Sequence, residues 1–133
     1  MPEMTIGALA KAGSVNVETV RYYQRCGLLA EPRRPAGWVR RYDAAALARL
    51  RFIRRARDLG FALEEVRLLL RIGETPNCRS ARDIAARKLA VVDARLADLA
   101  RMRAALDSLI EQCDAGGTRS CPIIDCLAAK RRD

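Results

Sequence analysis

The chain has 133 residues, half of them hydrophobic but with only one Trp, three Tyr and two Phe, a net charge of +9, five cysteines and no histidine. That length fits one domain, or a small domain with a long arm; no apolar run approaches the roughly 18 residues of a membrane-spanning helix, and the N-terminus lacks a signal-peptide core, so a soluble, cytoplasmic protein with no membrane contact is expected. Without histidine there is no His-based general base or metal ligand, and without CxxC no thioredoxin-like redox motif, so an enzyme is not expected and any metal site must be built from sulfur, with oxygen at most.

Thr5 is an N-cap for a first helix over residues 6–12, and Gly13-Ser14 ends it. Asn16 caps a second helix over 17–25, and two short helices across a tight turn read as a helix-turn-helix. Cys26-Gly27 closes the second helix, and Leu28-Leu29 returns to the core. Residues 31–42 hold two prolines, a glycine and a Trp-Val-Arg-Arg-Tyr end, which predict a basic hairpin, or wing, with a short strand at 38–42. Asp43 caps a third helix over 44–59, ended by Gly60. A fourth helix spans 63–70, and residues 73–76 form a linker into a fifth over 79–112. After a loop, Pro122 opens a last helix over 122–127. The expected architecture is mainly α, with a winged helix-turn-helix head (1–75) and a dimerisation helix with a metal-binding loop (76–133).

On the fifth helix Ala85, Leu89, Val92, Leu96, Leu99, Arg103, Leu106 and Ile110 recur in alternating steps of four and three, the rhythm of a coiled-coil seam. The same rhythm reaches Cys113 forwards and Cys78 backwards, 35 residues or five heptads apart. On one helix that spacing is about 52 Å, too far to share a ligand. Two antiparallel copies bring Cys78 of each against Cys113 of the other, so the seam predicts a homodimer with two composite thiolate sites.

Charge is uneven. Residues 20–60 carry eleven Arg against Glu31, Asp43 and Asp58, whereas residues 76–133 carry eleven basic and eight acidic residues. A basic first half points to a nucleic-acid surface in the head. The motifs there, Val20-Arg21-Tyr22-Tyr23-Gln24-Arg25-Cys26-Gly27-Leu28-Leu29, Arg40-Arg41-Tyr42, residues 52–61 and Leu63-Glu64-Glu65-Val66, resemble in order and spacing the head of the MerR transcription regulators. The resemblance covers almost the whole chain. Cys78, Cys113 and Cys121-Pro122-Ile123-Ile124 look like the metal-sensing branch, most like its mercury(II) regulators.

What that resemblance implies is specific. One mercuric ion is held by Cys78 of one chain with Cys113 and Cys121 of the other; Cys126 lies outside the usual mercury set and is a possible extra ligand, as for cadmium or lead. The dimer, with and without metal, holds double-stranded promoter DNA whose spacer is too long, and metal binding untwists it so that RNA polymerase reads both elements. The second helix enters the major groove with Arg21 and Tyr23, and Glu18 and Thr19 lie within its reach. The wing contributes Arg40 and Tyr42, and the third helix Arg54. Tyr22 is read as core. The spacing of eight from Cys113 to Cys121 also resembles the copper(I) sensors, so Cu(I), Ag(I) or Au(I) stands as an alternative to Hg(II), beside Cd(II), Pb(II) or Zn(II). Three thiolates favour a soft ion, and zinc prefers four ligands. A thiolate metal-buffering protein would use the same cysteines, but it has no need of the Arg-rich head.

Overall fold

The computed structural model describes residues 3–32, 39–75, 77–116 and 121–129. Six helices follow one another among them: α1 (Ile6–Ala12), α2 (Val17–Arg25), α3 (Ala44–Asp58), α4 (Leu63–Glu74), α5 (Cys78–Asp114) and α6 (Pro122–Ala128). The first three start where a side chain takes up an unpaired backbone N–H. Thr5 Oγ1 accepts from Ala8 at 3.2 Å, Asn16 Oδ1 from Thr19 at 2.7 Å and Asp43 Oδ1 from Ala46 at 2.9 Å, each worth about 1 kcal/mol. Ala62, before α4, has no such oxygen, and Glu65 reaches back instead to accept from the Ala62 N–H at 2.8 Å. Gly27 (φ 75°) and Gly60 (φ 89°) turn the chain after α2 and α3 in the left-handed region that glycine adopts without strain.

Two expectations need correction. The linker expected at 73–76 starts too early, since α4 runs through Gly73 to Glu74. Gly73 costs the helix about 1 kcal/mol, and the half-buried Leu70 and Ile72 beside it offset that by packing on the core. No strand spans the described part of 38–42. Tyr42 instead makes a lone antiparallel bridge to Met4, with both exchanged N–H···O bonds at 2.7 Å. Arg33, Arg34 and Trp38, assigned to the wing, lie outside the described residues.

The chain divides into two units. In the first, Met1–Ala85, one core gathers every helix present: Leu9 of α1, Val20 of α2, Leu50 and Ile53 of α3, Val66 of α4 and, from the opening turns of α5, Ile84. Each such burial contributes roughly 1.5–3 kcal/mol. At the end of α1, Gly13 lies so close to α3 that a Cβ there would stand 2.4 Å from Leu50 Cδ2, which fixes the helix-turn-helix against its support. In the second unit, Ala86–Asp133, none of the described residues is buried, and the long part of α5 stands without a core among them. Leu89, Leu96, Leu99 and Leu106 are each 59–60% exposed, with Val92 and Ile110 also in solvent.

Candidate functional site

Two regions carry the chemistry, one in each unit. In the first, α2 presents its outer face beside the chain at 39–42. Arg21 and Arg25, one helical turn apart, line a cleft of about 450 Å³ together with Arg40 and, among the described residues, one carboxylate, Glu31. Arg40 Nη2 is held by Glu31 at 2.9 Å, while its buried Nε has no partner among the described residues. Arg21 pairs with Glu18 at 2.9 Å with both groups largely exposed, so the pair adds little to stability. Thr19 turns its hydroxyl back onto Asn16 Oδ1 at 2.8 Å, inside the cap of α2. Arg54, on α3, is exposed and 4.0 Å from Asp58. Among the described residues the cleft is lined by three guanidinium groups and one carboxylate, with Glu18 paired to Arg21 beside it, and this excess of positive charge is the setting in which phosphate oxygens are bound.

The tyrosines differ from the sequence reading. Tyr22, read as core, is 45% exposed, and Arg25 lies over its ring at 5.8 Å from the centroid. Its hydrogen bond with Cys26 holds the phenol above its ordinary pKa. Tyr23 and Tyr42, expected to contact DNA, are instead buried in the core. The cause is helical spacing: Val20 and Tyr23 are three apart and share the inner face of α2, while Tyr22 falls outside it. The Tyr42 hydroxyl accepts from Gln24 Nε2 at 2.7 Å, which keeps its own proton for donation, and Tyr42 also borders the cleft. Arg25 is the residue the sequence reading missed. Its signal was present, four positions after Arg21 and thus on the same helix face.

The second region is a thiol pair. Cys113 lies in the last turn of α5 and Cys121 is the N-cap of α6, and their sulfurs stand 4.0 Å apart. The backbone N–H groups of Ile124 and Ile123, at the start of α6, favour the Cys121 thiolate and hold its pKa below the usual thiol value. Desolvation, reinforced by the neighbouring Cys121, pushes Cys113 above it. The thiolate form is thus favoured at Cys121 and disfavoured at Cys113. Thiolate–metal bonds of about 2.3 Å at 120° separate two sulfurs by about 4.0 Å, so the pair fits two corners of a trigonal site without rearrangement. Cys126 is exposed on α6, and Cys78 is exposed at the first residue of α5. Among the described residues no three Cys, Asp or Glu side chains converge as a complete metal cage. No described helix is long and apolar enough to cross a membrane.

Residues 4–72 match the family described as MerR HTH family regulatory protein, and residues 47–109 the one described as MerR, DNA binding. The chain belongs to the MerR family. It is therefore a DNA-binding transcription regulator and not an enzyme. Among MerR-family relatives, it is 48% identical over 128 residues to a mercuric resistance operon regulatory protein of Pseudomonas fluorescens, covering 96% of this chain and 89% of that one. Among solved MerR-family structures, the regulator PbrR691 of Ralstonia metallidurans in complex with lead(II) superposes with a TM-score of 0.79 at 38% identity, covering 94% of this chain and 99% of that one. The regulator MerR of Bacillus megaterium in complex with mercury(II) superposes with a TM-score of 0.71 at 33% identity, covering 95% and 100%.

Proposed function

We propose that this MerR-family chain is a mercury(II)-responsive regulator that acts in the cytoplasm as a homodimer, repressing a mercury resistance operon without metal and activating it with metal. The observation that carries the metal is the Cys113–Cys121 pair, two sulfurs already at trigonal spacing at the end of a helix. Cys78 of the partner subunit supplies the third thiolate, on the five-heptad register that sets it against Cys113 in an antiparallel pair. Three sulfurs and no nitrogen suit a soft ion, and the 48% identity to a mercuric resistance regulator supports mercury among soft ions. The exposed leucine seam of α5 is the surface that the second copy covers.

In the head, Arg21, Arg25, Arg40 and Arg54 hold promoter DNA, with Glu18 and Thr19 at the groove end of α2. Tyr23 and Tyr42 serve that surface from beneath, by fixing α2 and the chain at 39–42. Metal–thiolate bonds tie the end of α5 to the partner's α5 start, and so bias the dimer between two arrangements of its heads. The arrangement with metal distorts the promoter so that RNA polymerase engages both elements, the cost of deforming DNA being offset by added contacts.

The test is in vitro transcription from the operon's promoter, titrated in parallel with Hg(II), Cu(I), Cd(II), Pb(II) and Zn(II). Activation at the lowest concentration by Hg(II), abolished in Cys78→Ser, Cys113→Ser and Cys121→Ser alike, is expected. Metal that only releases the protein from DNA would rule the activation mode out. A second reading is favoured by one fact: the two paired thiols come from a single chain and are eight residues apart, a set sufficient for Cu(I). Activation by Cu(I) alone, unaffected by Cys78→Ser, would establish it.

A further inference from the structure

Two arginines from outside the helix-turn-helix end on the backbone just after α2. Arg67 of α4 donates from Nη2 to the Cys26 carbonyl at 2.7 Å, and Arg49 of α3 donates from Nε to the Leu28 carbonyl at 2.6 Å. Both bonds are partly buried, and the one from Arg67 ends on the C-cap of α2, the negative end of its dipole, where a guanidinium is held more strongly than a neutral donor. Gly27 sits between the two carbonyls at φ 75°, and a Cβ there would be 3.5 Å from Arg67 Nη1. Glu64, one turn earlier on α4, stands 3.6 Å from Arg67 Nε and orients the fork from its own helix. Arg67 lines no part of the Arg21–Arg25–Arg40 cleft.

We infer that Arg67 is a positioning residue for DNA recognition: it ties the C-terminal end of α2 to α4, so that the pitch at which Arg21 meets the groove is set from α4. This rests on α2 being the helix that reads DNA. It gives α4, the helix that leads through residues 75–77 into α5, a direct polar hold on that helix, separate from the shared apolar core. A shift of α4 then moves the backbone of α2 itself, and a side chain that touches no nucleotide controls sequence preference.

The experiment compares affinities of the full-length protein for the best duplex selected by the unaltered protein from a random library and for a scrambled duplex of equal length. Arg67→Ala is expected to lower that preference about tenfold, the scale of one charge-assisted hydrogen bond. Arg67→Lys, whose ammonium can donate to the same carbonyl, is expected to keep it within about threefold. Affinity for the scrambled duplex and its salt dependence should not change, because no phosphate contact is lost. Unchanged preference in Arg67→Ala, with only a lower melting temperature, would overturn the inference and leave a purely structural bond. A reduced salt slope with preference intact would also overturn it, by making Arg67 a phosphate ligand. Arg21→Ala separates the two premises: if it erases preference while Arg67→Ala does not, the reading of α2 stands alone; if neither changes it, both fall. Should Arg67→Ala not fold, Arg67→Gln is read by the same criteria.

Discussion

Gly13 offers the sharpest test of how the head is assembled. Its φ is −84°, which any residue adopts, so alanine there meets no backbone penalty and should even gain up to about 1 kcal/mol by restricting the unfolded chain. The obstacle is space: the added Cβ would lie 2.4 Å from Leu50 Cδ2 and 2.9 Å from Leu50 Cγ. Leu50 is fully buried, so it cannot swing into solvent to make room. Overpacking of this kind costs about 1–3 kcal/mol, leaving a net loss of up to about 2 kcal/mol when the full gain is realised and a melting temperature lower by roughly 4 °C per kcal/mol. The assay is thermal and urea unfolding at fixed protomer concentration, since dimerisation links stability to concentration. A double-mutant cycle with Leu50→Ala isolates the clash, because in that background Gly13→Ala should become neutral or stabilising. If Gly13→Ala costs the same whether or not Leu50 is present, the close approach of α1 to α3 does not constrain the turn.

Other expectations concern the two functional regions. With metal absent, iodoacetamide should label Cys121 faster than Cys113 between pH 7 and 8.5, with the Cys121 rate half-maximal below the ordinary thiol pKa and that of Cys113 above it; mass mapping that finds the reverse order refutes the electrostatic reading of the pair. Tyr42→Phe removes the Gln24 bond and should lower stability by about 1 kcal/mol while leaving the affinity for DNA at fixed salt unchanged; a severalfold loss of affinity by gel shift would restore Tyr42 as a phosphate contact. Arg25→Ala should reduce the salt slope by about 0.9 per protomer on DNA, and an unchanged slope would remove Arg25 from the interface.

Much of the molecule was legible because its signals are local. Thr5, Asn16 and Asp43 announce helix starts by side-chain chemistry that needs no tertiary context, and the seam on α5 reports its own period. Gly73 misled because a helix-breaking preference of about 1 kcal/mol is smaller than the packing of Leu70 and Ile72 beside it. Tyr22 and Tyr23 are adjacent and chemically alike, so composition could not sort them; only the phase set by Val20 does. The nearness of Cys113 and Cys121 depends on the path of the loop between α5 and α6, which spacing alone does not give. The bonds of Arg49 and Arg67 were invisible because their acceptors are carbonyls, which every residue carries.

The leucines that α5 leaves in solvent have a genetic consequence. On the dimer proposed, each assembled molecule samples two copies of the gene product, and the seam does not distinguish a sound copy from a damaged one. A chain altered only in its head or its thiols would still enter dimers and carry its defect into them. In a cell expressing both forms, most assemblies would contain at least one faulty copy, so loss-of-function alleles of this kind should behave as dominant, whereas alleles that break the seam should be recessive.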